Sequence, residues 1–247
     1  MKLLALEFCK CRRRKLTLVC AGLLAAQLLW FGAYLTRQDA EALAQGWMLL
    51  LYNLAMVDAI MLPIGVAVIA SRSCELEHRG HTLKLLETAV TPGRALRRQA
   101  GLGRWCWPAC SWRAAPLPGL GLAMGFPGGT PWGRFVVFTA LSWAVSMTLY
   151  ALQQGLSLRF ANQAVALVCG IFGSFVGLMA LLFPVWYSGA SLGYYGLLSL
   201  VRMEWDEATR WTAFFWRRPE PLDLALLCLW AALFLTVGRT LFVRKEV

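Results

Sequence analysis

The sequence is poor in charged residues and in the residue types from which catalytic and metal sites are built. Only 15% of its 247 residues are charged, against about 25% in soluble proteins. It has just two histidines, His78 and His81, and no GxxxxGK[ST] phosphate loop, HExxH motif or CxxC pair. These absences argue against an ATPase, a zinc protease and a structural zinc domain. We therefore expect no enzymatic activity, metal or cofactor in this chain.

Acidic residues are also scarce, since 13 of them face 24 lysines and arginines. The basic residues occur in short runs beside apolar segments and form no continuous basic face of the kind that binds nucleic acid. We expect no nucleic-acid partner. Lysine and arginine beside apolar segments are instead typical of the cytoplasmic loops of membrane proteins.

Apolar residues, by contrast, are abundant and come in long blocks. Hydrophobic residues make up 59% of the chain, and a helix of about 20 apolar residues crosses the ~30 Å hydrocarbon layer of a bilayer. We predict an all-α integral membrane protein with about six transmembrane helices in a single domain, residues 1–247. The predicted spans are 16–35, 47–69, 105–124, 135–158, 164–186 and 222–242.

The distribution of lysine and arginine gives the predicted orientation. With both termini in the cytoplasm, the inner segments hold 17 of the 24 basic residues, seven of them in a cytoplasmic loop, 70–104. The positive-inside rule therefore favours an even number of spans. The predicted location is the bacterial plasma membrane.

An even number of spans requires the third predicted span, yet the sequence of that span is unlike an ordinary helix. Residues 105–113 are WCWPACSWR, and four prolines follow before residue 132. One interpretation is a broken or re-entrant segment whose backbone groups bond to other helices. The other is a pair of compensating frameshifts, bounded by about Leu102 and Gly125, because the shifted frame of a GC-rich gene would encode Leu-Val-Leu-Ala-Gly-Leu-Leu-Val-Ala-Gly.

Asp58 is an acidic residue deep in the second predicted span. An aspartate at the bilayer centre costs ~2.5–3.5 kcal/mol on insertion scales, so it needs a partner or a hydrated cavity. Pro63, further along the same helix, frees a backbone carbonyl. Asp58 and Pro63 are candidates for a transport path, and the alternatives for Asp58 are a packing hydrogen bond or a shifted span boundary. For Gln153 and Gln154 in the fourth span we favour hydrogen bonding between helices over substrate binding.

The cytoplasmic loop has an amphipathic pattern. Its apolar residues at helical spacing are Leu76, Leu83, Leu86 and Val90. Polar residues lie beside them, and Pro92 ends the helical pattern. On physical grounds alone, this pattern is compatible with a helix that rests on anionic lipid.

The same loop carries a run of residues known from one protein family. The positions that share the pattern are Glu77, Gly80, Thr82, Leu83, Lys84, Leu85, Leu86, Pro92 and Arg94. The run resembles the permease subunits of type-two ABC exporters, most closely those of lantibiotic self-immunity transporters, with Leu83 in place of the usual aromatic residue.

The resemblance implies partners and a role. The loop would dock into a groove on a separate ABC ATPase, with Glu77 and Lys84 as ionic contacts and Gly80, Pro92 and Arg94 as further coupling positions. A second permease subunit, identical or related, would complete the membrane part, and a peptide or other amphipathic substrate would move outward. A membrane anchor or sensor subunit and a membrane enzyme are the alternatives.

Aromatic residues are concentrated before the last predicted span. They are Trp186, Tyr187, Tyr194, Tyr195, Trp205 and Trp211. Such residues anchor proteins at the membrane interface. The alternative is that they capture a membrane-bound peptide.

Overall fold

A computed structural model gives the fold and describes residues 16–79, 114–160, 162–182, 199–206 and 211–243. Within these ranges the chain forms seven α-helices and one antiparallel pair of strands. The helices are α1 (Leu16–Leu35), α2 (Ala40–Ala44), α3 (Gly46–Arg79), α4 (Leu117–Ala123), α5 (Trp132–Arg159), α6 (Gln163–Leu182) and α7 (Pro221–Val243). The strands are β1 (Val201–Asp206) and β2 (Trp211–Trp216).

Three of the described helices are long and apolar enough to cross a membrane. Their candidate spans are Gly46–Ser71 in α3, Trp132–Ser157 in α5 and Pro221–Gly238 in α7. Shorter apolar stretches, Leu24–Leu35 and Ala164–Met179, lie in α1 and α6. The described part of the chain is thus mostly helical with three candidate membrane spans, whereas the number of six spans and the cytoplasmic termini stay predictions.

Helix α3 is at the centre of the described bundle and contacts α1, α5 and α6, while α7 packs on α5. Small residues allow these helices to approach one another closely at two points. A Cβ atom added at Gly170 of α6 would lie 2.7 Å from the Cβ of Ala67 on α3, and one added at Gly155 of α5 would lie 3.6 Å from the Cα of Gly238 on α7. Glycine at such points lets helix backbones pack closely, as is common in membrane bundles.

Helix α3 is longer than the span predicted within it. The predicted loop begins at residue 70, but the helix continues without interruption through Pro63 and on to Arg79. Its 34 residues correspond to a length of about 50 Å, which exceeds the ~30 Å hydrocarbon layer. The end of α3 that includes Glu77 therefore extends beyond the apolar part of the helix.

The all-α prediction was wrong just before the last helix, where β1 and β2 form an antiparallel hairpin. Their register runs from the pair Val201↔Trp216 to the pair Asp206↔Trp211. Both strands contain valine, threonine or aromatic residues, which favour extended backbone. Val201 and Phe214 are buried in the same hydrophobic cluster as the first half of α3, so tertiary packing stabilises the hairpin.

Part of the third predicted span can be compared with the structure. Residues 105–113 lie outside the described ranges, whereas the following segment forms the short helix α4 and then a turn. In that turn Gly125 and Gly128 have φ values of 70° and 81°, which favour glycine. Leu117 of α4 is fully buried in the cluster around Trp47.

Candidate functional site: a buried polar layer between three helices

Asp58 lies in the middle of α3, faces α5, and is only 4% exposed. Ser142 Oγ donates a hydrogen bond of 3.5 Å to Asp58 Oδ2, which is long for an O–H···O bond. The neighbouring Ser146 is fully buried, and its hydroxyl donates to Ser142 O at 2.7 Å. Hydroxyl groups near the carboxyl group lower the free-energy cost of burying it.

The polar surroundings of Asp58 continue along α5. Buried polar side chains recur there at helical spacing: Ser142, Ser146, Gln153, Gln154 and Ser157. Only the two glutamines were singled out from the sequence. The serines were missed because apolar residues separate them, although their recurrence along one helix face was a usable signal.

Gln153 connects this stripe to α6. With its amide oriented to satisfy both polar atoms, the side-chain nitrogen donates to Ala166 O at 3.0 Å, and Gly170 N donates to the side-chain oxygen at 3.3 Å. The glutamine therefore makes the hydrogen bonds between helices that its position indicated. Such bonds contribute about 0.6 kcal/mol on average in membrane proteins.

Pro63 lies where α3 meets α6. Because proline has no N–H, the carbonyl of Ala59 lacks its usual donor within the helix. At the next carbonyl, Ser174 Oγ of α6 donates to Ile60 O at 2.7 Å. Gly170 lies beside Pro63, since a Cβ added there would be 3.1 Å from Pro63 O. Asp58 and Pro63 therefore lie at two neighbouring helix contacts, one with α5 and one with α6.

The hairpin packs against the N-terminal ends of α3 and α5. Phe214 N donates to Gln45 Oε1 at 2.9 Å, and the Phe214 ring lies 5.5 Å from that of Tyr52. The guanidinium carbon of Arg134 lies 3.5 Å from the centroid of a Trp216 ring. We call the end of the bundle formed by the hairpin and these helix starts the hairpin end.

The predicted aromatic residues are only partly described. Trp205 lies in β1 and is 57% exposed, and Trp211 begins β2. Trp186, Tyr187, Tyr194 and Tyr195 lie outside the described residues. Interface anchoring and peptide capture both stay predictions.

Of the predicted ATPase-coupling residues, the structure describes the backbone of Glu77, at the opposite end of α3 from the hairpin. Glu77 belongs to the last turn of α3, but its side chain is outside the described part of the structure. Gly80, Lys84, Pro92 and Arg94 are also outside the described residues. The role of these positions stays a prediction.

Among the described residues, no group of three or more histidines, cysteines, aspartates or glutamates could hold a metal ion. Among the cysteines whose side chains the structure describes, Cys169 and Cys228 are free thiols. The chemistry that this layer offers is therefore hydrogen bonding and one buried carboxyl group between helices.

Residues 3–91 match a protein family described as "ABC-2 family transporter protein". No curated protein and no solved structure matches the chain. The matched segment contains Asp58, Pro63, Glu77, Gly80 and Lys84, and it ends just before Pro92. The match covers residues 3–91 of 247, and together with the three apolar helices it indicates a membrane protein that is similar over this segment to ABC-2 transporters, which normally work with an ATPase subunit.

Proposed function

We propose that this chain is the permease subunit of an ATP-driven exporter in the bacterial plasma membrane, which moves an antimicrobial peptide or similar amphipathic substrate outward. Its specific role would be self-immunity of a lantibiotic producer. ATP hydrolysis would take place on separate ATPase subunits, and a second permease subunit would complete the transport path.

The observation that carries this proposal is the position of the family match. It spans α1, α3 and the first part of the predicted coupling loop, and so joins Asp58 in the buried layer to Glu77 near the loop. Because α3 is one continuous helix between these residues, a force applied to its far end acts directly on the contacts of Asp58 and Pro63.

The buried layer provides contacts that can change during transport. The 3.5 Å bond from Ser142 to Asp58 is weak, and the shorter bond from Ser174 to Ile60 lies on the other side of α3. When α3 moves relative to α5 or α6, these two bonds can break, and the polar groups they released can then bond to water or to the substrate. An interface with purely apolar contacts would not offer such exchange.

Exposed apolar side chains at the hairpin end support an amphipathic substrate. They include Met203, Trp205 and Phe215, each more than a third exposed. A peptide that partitions into the membrane interface has apolar and aromatic groups that would contact such a surface. The more specific lantibiotic role is supported by the resemblance of the loop around Glu77 and Lys84.

The test is purification of tagged, full-length protein from its native host in mild detergent. We expect a companion ATPase to copurify with the wild-type protein and with a Glu75→Ala control, and to be lost in Glu77→Ala. Both variants remove one carboxylate from the end of α3, so general loss of charge cannot explain a difference between them.

Absence of an ATPase from well-folded wild-type protein, in several detergents, would contradict the proposal. It would favour the anchor or sensor alternative. Coupling to transport is tested separately, by measuring ATP-dependent peptide export from cells that carry the wild-type protein or Glu77→Ala. Export that does not depend on Glu77 would refute its role in coupling.

A further inference from the structure

Two arginines at the hairpin end have no carboxylate partner among the described residues. Arg134 lies in the first turn of α5, and Arg218 follows shortly after β2. The guanidinium carbon of Arg134 lies 3.5 Å from the centroid of a Trp216 ring, and Arg218 is two residues beyond Trp216 in the chain. The hairpin end therefore carries two positive charges that have no carboxylate partner among the described residues.

The described carboxylates of β1 and of the start of α7 are already paired with other arginines. Arg217 bonds to Glu220 at 3.1 Å and lies 3.6 Å from Asp223. Glu204 pairs with Arg202 on β1 at 3.3 Å. The charges of Arg134 and Arg218 are therefore available to an external anion.

The surroundings of Arg134 increase its preference for an anion. The N-terminal end of a helix carries a partial positive charge, which disfavours a cation and favours a bound anion. The guanidinium carbon lies over a Trp216 ring, 3.5 Å from its centroid. The N–H donors of a guanidinium group lie in one plane, so they can bind a phosphate with two parallel hydrogen bonds.

The surface next to the two arginines is apolar. Trp132 is 60% exposed at the start of α5, and Val137 lies about one turn beyond Arg134 on the same face and is 46% exposed. Both belong to the candidate membrane span of α5. A ligand that fits this surface carries a negative charge next to an apolar tail.

We propose that Arg134 and Arg218 bind the phosphodiester headgroup of an anionic lipid at the hairpin end, with Trp216 holding the Arg134 guanidinium in place. The acyl chains would lie along α5 over Val137. This site is separate from the buried polar layer and from the predicted ATPase contact. It depends on α5 being in a membrane and not on the substrate or on transport.

The test uses full-length protein in detergent micelles, with phosphatidylglycerol as the probe and native mass spectrometry to count retained lipid. We expect wild-type protein to retain phosphatidylglycerol in preference to zwitterionic phosphatidylcholine. Replacing one arginine by glutamine should weaken retention about tenfold, equivalent to about 1.4 kcal/mol. The double variant Arg134→Gln/Arg218→Gln should lose the preference.

Two further variants and a folding check distinguish loss of this site from a general loss of charge and from misfolding. Arg202→Gln removes a charge from the same hairpin, but one that is paired with Glu204, so it should retain lipid as wild type does. Arg134→Lys keeps the charge without the planar donor group, and we expect it to be intermediate. Circular dichroism and size-exclusion profiles identify any variant that fails to fold.

Equal retention by wild type and the folded double variant would overturn the proposal, as would an equal loss in Arg202→Gln. Inorganic phosphate distinguishes a headgroup site from a site for free anions. Failure of millimolar phosphate to displace the lipid supports the headgroup assignment, because only the lipid also contacts Val137. Displacement by phosphate at that concentration would refute it.

Discussion

Replacement of Gly170 by alanine should separate α3 from α6. The added Cβ atom would lie 2.7 Å from the Cβ of Ala67, whereas ordinary contacts are 3.4–4 Å, so the helices must move apart by about 1 Å. That movement also lengthens the 2.7 Å bond from Ser174 to Ile60. Overpacking costs about 1–3 kcal/mol and the weakened hydrogen bond about 1 kcal/mol, while alanine gains about 1 kcal/mol of helix propensity, so we expect a net loss of about 1–3 kcal/mol in the free energy of unfolding.

The assay is reversible unfolding of purified protein in mixed micelles, with Gly65→Ala as the control. Gly65 lies on α3, and an added Cβ there meets nothing within 4 Å. Both replacements gain about 1 kcal/mol of helix propensity, so their difference isolates the steric effect at Gly170. Ala67→Gly should partly rescue Gly170→Ala, because it removes the nearest atom. Equal stability of Gly170→Ala and Gly65→Ala would refute the close packing of α3 on α6.

Further predictions concern the carboxyl groups and the gene itself. Asp58→Asn keeps the hydrogen bond to Ser142 but removes the charge; we expect at least about tenfold slower export at unchanged protein yield if Asp58 lines the path, and unchanged export would assign it to packing. Arg217→Gln leaves the buried Asp223 without its partner at 3.6 Å; because Arg217 is partly exposed, we expect about 1–2 kcal/mol of destabilisation in thermal unfolding. In the DNA of codons 102–125, any shifted frame should end before α4, and a shift that includes α4 would contradict its packing.

Membrane helices could be predicted from the sequence because length and hydropathy are local properties. The apolar segment that begins near Trp47 needs only its own composition to be recognised, and it forms α3. Asp58 could be identified for the same reason, since a carboxylate inside an apolar segment is costly wherever its partners lie. Its partner Ser142 could not be identified, because the sequence does not specify how α5 is rotated against α3.

The hairpin and its arginines were missed because they depend on contacts between distant parts of the chain. A short segment of aromatic and β-branched residues is compatible with a strand or with an interfacial segment. Contacts such as those of Phe214 with Gln45 and Tyr52 favour the strand over the interfacial segment. Likewise, Arg134 was counted only as a charge beside a predicted span, although its contact with Trp216 gives it a defined position.

The packing of α4 also bears on the two interpretations of the third predicted span. Leu117 is fully buried, and a Cβ at Gly121 would lie 2.6 Å from the Trp47 ring. Phe126 stacks edge-on against Trp47 at 5.3 Å, in a space that exists because Gly46 has no side chain. These residues fit one another in the present reading frame, so we expect any frameshifted segment to end before α4. An apolar segment of about ten residues in that interval, followed by α4, still approaches the roughly 20 residues that one crossing requires.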